Sequence, residues 1–130
     1  MNKISYGLAE KVCLITGGAQ GIGEACARLF LDQGAQVVIV DVHKERGESL
    51  QSQLQQQGHE VLFIPCDIGN KVEVDALIGQ VLERYGRVDI LVSNAGIFKA
   101  APFLEVKEAD FDEVLRVNLR GAFLMGQAVA

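Results

Sequence analysis

The chain is poor in the features that mark several large classes of protein. Its twelve Lys and Arg are scattered among seventeen Asp and Glu, for a net charge of −5. No basic stripe is present along which a nucleic-acid backbone could lie. No apolar run approaches the length of a membrane span, and Met1-Asn2-Lys3-Ile4-Ser5 leads into no signal-peptide core. The three cysteines, Cys13, Cys26 and Cys66, are odd in number and lack metal-ligand spacing, so no metal centre is expected. They read as small buried thiols in a reducing compartment, and the cytoplasm is the expected location. The two histidines, His43 and His59, join no Ser/His/Asp constellation. Repeats and linkers are absent.

What remains is a chain of 130 residues, 49% of them apolar. That suffices for one domain, residues 1–130, with a buried core. Short runs rich in Val, Ile and Leu alternate with helical patterns. The expected strands are Val12–Thr16, Gln36–Val40, Glu60–Pro65 and Val88–Ser93. The first helix is expected to bury Ile22, Ala25, Cys26, Leu29 and Phe30, with Gly34 as its stop. A second, near Lys44–Gln57, turns Leu50 and Leu54 inward and ends at Gly58. A third shows Val74, Leu77, Ile78, Val81, Leu82 and Tyr85 at i, i+3, i+4 spacing before Gly86. The last carries a stripe of Phe111, Val114, Leu115, Leu119, Ala122 and Met125, with Asn118 inside it. Continuous apolar strands joined by helices imply an α/β fold with a doubly wound parallel sheet covered on both faces.

Between the first strand and the first helix runs Thr16-Gly17-Gly18-Ala19-Gln20-Gly21-Ile22-Gly23. Glycines at such a junction let the backbone turn sharply and approach an anion, while the helix's unpaired N–H groups point at it. The second strand closes on Asp41, about 20 residues beyond Gly21, the offset at which dinucleotide folds place an acid on the adenosine ribose hydroxyls. Asp41 could instead cap the helix that follows. As a ribose ligand it would face any 2′-phosphate. Two charges ~4 Å apart at an effective dielectric of about 20 repel by roughly 4 kcal/mol, an upper figure for a solvated rim. NAD is therefore expected over NADP, with Lys44 and Arg46 as the nearby charges that argue the other way.

The spacing Thr-Gly-x-x-x-Gly-x-Gly resembles the short-chain dehydrogenase/reductase family. Asn94-Ala95-Gly96 after the fourth strand and Val117-Asn118-Leu119-Arg120-Gly121 on the last helix resemble two further motifs of that family. The resemblance covers roughly Leu8 to Ala130 but only about the first half of a typical member. It implies a Rossmann-type sheet of about four strands in the order 3-2-1-4, incomplete at the C-terminus, where Gln127-Ala128-Val129-Ala130 is still helical. It implies that Gly17, Gln20, Gly21, Ile22 and Gly23 hold the pyrophosphate and ribose. Asp67 and Ile68 would hold the adenine, and Asn94 and Gly96 the nicotinamide side. Asn118 would be the helix-borne active-site Asn that organises a water in a proton relay. A basic residue just before the second glycine of the loop often supports NADP in this family, and Gln20 stands there instead. The signature's first Asn is Ser93 in this chain, a departure that touches sheet stabilisation more than binding.

Residues read without the resemblance leave plainer roles open: turns after each strand, Asp67 as a helix cap, and Asn118 as a buried core amide. The family's Ser and Tyr-x-x-x-Lys have no counterpart, since four residues beyond Tyr6 and Tyr85 stand Glu10 and Asp89. The implied protein is an NAD-dependent oxidoreductase acting on a small secondary alcohol or ketone, a homo-oligomer when full length, with no metal, nucleic-acid or membrane partner. The present chain would bind cofactor without turnover. The rivals are a non-catalytic NAD-binding or redox-sensing module and a nucleotide-dependent methyltransferase.

Overall fold

A computed structural model describes residues 4–130. Four parallel strands, β1 (Val12–Thr16), β2 (Gln36–Asp41), β3 (Val61–Pro65) and β4 (Ile90–Val92), form one sheet in the order β3-β2-β1-β4. In register, Leu14 stands beside Val38 and Leu91, and Val38 beside Leu62. Helices α1 (Gly21–Asp32), α2 (Lys44–Gln56) and α3 (Lys71–Tyr85) connect successive strands. After β4 come a short 3-10 turn (Phe103–Glu105), α4 (Glu108–Leu115), a π-helical turn (Arg116–Gly121) and α5 (Ala122–Val129).

The strand centres are apolar because helices cover both sheet faces. Cys13, Ile15, Val37 and Ile39 point to a layer completed by Ala27 and Leu31 of α1 and Leu50 and Leu54 of α2. Val12, Leu14, Val38 and Val40 point the other way, against Val74, Leu77 and Val81 of α3 and Leu124 and Met125 of α5. The alternation within each strand is the period of two that a pleated sheet imposes. Gly34, Gly58 and Gly86 follow α1, α2 and α3 with φ of +83°, +87° and +76°, the left-handed stop that a Cβ would oppose.

Two expected faces are corrected. Helix α1 buries Gly23, Ala27 and Leu31, with Cys26 and Phe30 half-buried, while Ile22 and Leu29 are exposed. Ala25 is exposed as well, and at Gly23 the helix approaches the Gly17 carbonyl and the Asn94 amide too closely for any larger residue. The last expected helix is three segments, and the π turn shifts the face between them. Leu124 and Met125 are buried, whereas Phe111, Leu115 and Leu119 are exposed. Strand β4 is shorter than expected at both ends, for one reason. At its start the Asp89 carboxylate accepts the Val12 N–H at 2.8 Å, and beyond its end the Asn94 and Ala95 N–H groups donate to the Thr16 side chain. Side chains there take bonds that a longer ladder would have used.

Candidate functional site

The glycine loop is shaped by contacts beneath it and by open space on its other side. Gly17, at φ +65°, has Ala95 Cα 2.9 Å from where its Cβ would stand. A Cβ on Gly23 would lie 2.2 Å from the Gly17 carbonyl oxygen. Those two glycines allow the loop, the start of α1 and the end of β4 to pack. Gly21 differs, since at φ +57° nothing lies within 4 Å of its Cβ position. Gln20 precedes α1 in an extended conformation and its side chain caps nothing, which leaves first-turn amides available to an anion. Gly21 and Ile22 stand exposed on that first turn.

Asp41 is only 7% exposed, and its carboxylate stitches two elements together. One oxygen accepts the Ala19 N–H of the glycine loop at 3.1 Å, and the other accepts the His43 N–H ahead of α2 at 3.0 Å. The carboxylate thus orders the approach to α2 without capping it, because His43 holds the N-cap position and no side chain caps that helix. Asp67 is no helix cap: Asn70 fills that role, its side chain accepting the Val72 and Glu73 N–H groups at 3.0 and 3.3 Å. The Asp67 carboxylate instead accepts the Gly69 N–H at 2.9 Å and the Arg116 guanidinium at 2.9 and 3.0 Å. Arg116 turns its other edge to Glu113, with two bonds of 2.9 Å. These bonds hold the Glu113 carboxyl below its ordinary range and raise the guanidinium above its own.

Beyond β4, Thr16 and Asn94 lock the strand end to the glycine loop. The buried Thr16 hydroxyl oxygen accepts the Asn94 and Ala95 N–H groups, both at 3.0 Å. The Asn94 amide donates to the Thr16 and Gly17 carbonyls at 3.2 Å. Asn118 is exposed rather than buried, which removes the alternative of a buried core amide. The π turn swings it out of the apolar face. Its oxygen accepts the Ile97 N–H at 2.8 Å and its nitrogen donates to the Ile97 carbonyl at 2.9 Å, beside Gly96.

A cavity of about 420 Å³ opens at the carboxyl ends of the strands, the place where open α/β sheets bind ligands. Gly17, Gln20, Asp41, Asp67, Ile68, Asn94 and Gly96 line it, with Cys66, Glu113 and Arg116. Of the expected site residues, Gly21, Ile22, Gly23 and Asn118 stand outside its lining. Thr16 and Arg116 are the residues that sequence reasoning passed over. Thr16 was visible inside the glycine motif, but nothing in the sequence pairs Arg116 with a carboxylate 49 positions away. Among the described residues no cluster of His, Cys, Asp or Glu could hold a metal ion.

The family model for short chain dehydrogenases matches residues 11–130. A hydroxy(phenyl)methylsuccinyl-CoA dehydrogenase subunit of Thauera aromatica is 44% identical over 95% of this chain and 50% of its own length. The crystal structure of a 3-ketoacyl-(acyl-carrier-protein) reductase from Brucella melitensis complexed with NADH is 39% identical, with a TM-score of 0.87 over 93% of this chain and 49% of that one. A gluconate 5-dehydrogenase from Burkholderia cenocepacia, in complex with NADP and tartrate, is 36% identical with a TM-score of 0.85 over 93% and 48%. The chain spans about half the length of the curated relatives it matches. On the family match along nearly its whole length, the chain belongs to the short-chain dehydrogenases.

Proposed function

We propose that this chain is the dinucleotide-binding part of an NAD-preferring oxidoreductase. The whole protein would move a hydride between nicotinamide C4 and the carbinol or carbonyl carbon of a small secondary alcohol or ketone. One observation carries the reading: a buried carboxylate, Asp41, lines the same cavity as Gly17 and the Asn94-Ala95-Gly96 turn. Structures similar to this chain hold NADH or NADP, so the preference rests on Asp41 and not on the family. Lys44 and Arg46 line a neighbouring cleft of about 490 Å³. They are the charges a 2′-phosphate would use, and Glu45 stands between them.

The cofactor supplies the hydride donor or acceptor. The chain's own residues would do the binding and orienting: Gly17, Gln20, Gly21, Ile22 and Gly23 along the pyrophosphate and ribose, Asp41 at the adenosine hydroxyls, Asp67 and Ile68 at the adenine. Asn94 and Gly96 would border the nicotinamide side. The Asn118 oxygen and one of its N–H bonds are already taken by Ile97. Asn118 would therefore serve a proton relay by holding the π turn in shape, leaving the turn's backbone carbonyls to meet water.

Burial pushes the Cys13 and Cys66 thiols up to about 12, which keeps both protonated at neutral pH and weighs against thiol-based redox sensing. We further propose a homo-oligomer for the whole protein, because Leu115, Leu119 and Phe123 share an open groove on α4, the π turn and α5. Calorimetric titration of the chain with NAD, NADP and S-adenosylmethionine tests the reading. NAD should bind at least tenfold tighter than NADP, about 1.4 kcal/mol, and S-adenosylmethionine should not bind. Tighter NADP binding overturns the preference, and binding of neither dinucleotide overturns the assignment.

A further inference from the structure

The π turn is fastened to the cavity's rim by side chains reaching in two directions. Asn118 grips Ile97 after β4. Toward β3, Arg116 reaches Asp67, and Arg120 donates to the Gly69 carbonyl at 3.3 Å. The backbone of that loop is fitted to the guanidinium: a Cβ on Gly69 would lie 2.2 Å from the Arg116 Nη1. Each edge of the guanidinium has a distinct partner. Nε and Nη2 are held by Glu113, three residues earlier, while Nη1 faces Asp67. A planar fork can serve two carboxylates at fixed angles in this way, and a lysine ammonium cannot.

Inside the otherwise α-helical run from Glu108 to Val129, a π turn inserts one residue per turn, a feature found often at functional sites. Here it carries Arg116, Asn118 and Arg120 toward two strand-end loops. Resting on the dinucleotide reading above, we propose that Arg116 is a positioning residue for the cofactor site. Braced by Glu113, it fixes the Asp67 carboxylate on the adenine side of the cavity and ties that wall to the turn that carries Asn118. The pair is about one-third exposed, 33% and 31% at the two side chains, so it contributes little to stability. Its work is read on binding.

The test is a double-mutant cycle on NAD affinity by calorimetry, with Arg116→Met, Asp67→Asn and the double variant, each checked for a cooperative melt. Arg116→Met should weaken NAD binding about tenfold, and in the Asp67→Asn background the same change should cost almost nothing. Arg116→Lys should fail to restore affinity, because it keeps the charge but not the fork. If Arg116 acted only as a positive charge near the pyrophosphate, Lys would restore binding and the two substitutions would add, and either result overturns the proposal. Should Arg116→Met fail to fold, Glu113→Gln, which loosens the brace from outside the Asp67 pair, should still weaken binding several-fold. An unchanged affinity there is also fatal. A wild-type chain that binds no dinucleotide overturns the cofactor reading, and this inference with it. Wild-type binding that the Arg116 variants leave intact overturns this inference alone.

Discussion

Gly17 and Gly21 share a positive φ, +65° and +57°, yet their substitution should have unlike consequences. At Gly17 an added Cβ meets the Ala95 backbone at 2.9 Å and the Asn94 amide at 3.0 Å. Left-handed strain and overpacking then combine, and Gly17→Ala should cost roughly 2–4 kcal/mol of stability. At Gly21 the space is open, so Gly21→Ala should cost only the backbone strain, about 1–2 kcal/mol. Gly21→Val should still fold but lose most NAD affinity, because the branched side chain fills the approach to the first-turn amides. Thermal melts and calorimetry on the variants separate the two effects. A Gly21→Val chain that binds NAD as the wild type does would reduce the loop to a turn.

At the same scale, the buried thiols predict an alkaline weakness. Burial, helped by Glu73 and Asp67, raises Cys66 from an ordinary 9.0 to about 12, and burial then Cys26 raises Cys13 equally. Unfolded thiols release protons near pH 9 while the folded chain retains them. The unfolded state then binds fewer protons, and stability falls with rising pH between about 9 and 12, with no contribution to the slope below that window. Urea midpoints for the wild type and Cys66→Ala, compared at about pH 7.5 and about pH 10.5, should show a smaller alkaline loss in the variant. Equal losses would mean that Cys66 titrates freely.

Among elements, two mid-helix glycines give the sharpest contrast. Gly47 on α2 is buried, and a Cβ there would stand 2.1–2.5 Å from the Phe63 ring. The helix-propensity gain of Gly→Ala, about 1 kcal/mol, is outweighed by an overpacking cost of roughly 1–3 kcal/mol, so Gly47→Ala should destabilise. Gly79 on α3 has nothing within 4 Å, and Gly79→Ala should stabilise by about 0.5–1 kcal/mol. Denaturant midpoints decide both signs. The same contrast explains what the sequence disclosed. Strands β1 to β3 and the inner face of α3 were legible because continuous apolar runs and i, i+3, i+4 spacing report burial directly. The three stop glycines were legible because a helix end demands φ > 0. The face of α1 was not, because close packing selects Gly23 and Ala27, which carry no hydropathy signal. The π turn was not, because it alters helical phase without altering composition. The glycine loop, Asp41 and Asn94 were legible from motif and offset, whereas the Arg116 clamp exists only through folding.

On the scale of the whole molecule, the proposed cofactor binding and the proton transfer that turnover needs make separate demands. Hydride transfer to or from a secondary alcohol needs a group that takes or gives the hydroxyl proton at neutral pH. Tyr6 and Tyr85 are the chain's only phenols, and neither has a lysine four residues on. Tyr85 closes α3, which starts at Lys71, just past the Asp67–Gly69 loop at the cavity rim, and runs back along the sheet for 15 residues. At 1.5 Å per residue that places Tyr85 roughly 20 Å from the cavity, packed against the α3–α5 core layer. The chain also leaves much apolar surface open. Phe98, Phe103 and Leu104 are 87%, 89% and 94% exposed, and β4, half-buried along its length, pairs on one side only among the described residues. Exposed patches and sheet edges of this kind associate. The 130-residue chain, purified alone, should therefore bind NAD, sediment as concentration-dependent oligomers, and reduce no NAD when supplied with secondary alcohols. Sedimentation velocity across a concentration series and a spectrophotometric assay for NADH test the two halves separately. A monodisperse monomer would show that the open face needs no partner. Alcohol-dependent NADH formation at an ordinary enzymatic rate would mean that a proton-transfer group other than a Tyr–Lys pair works within these residues.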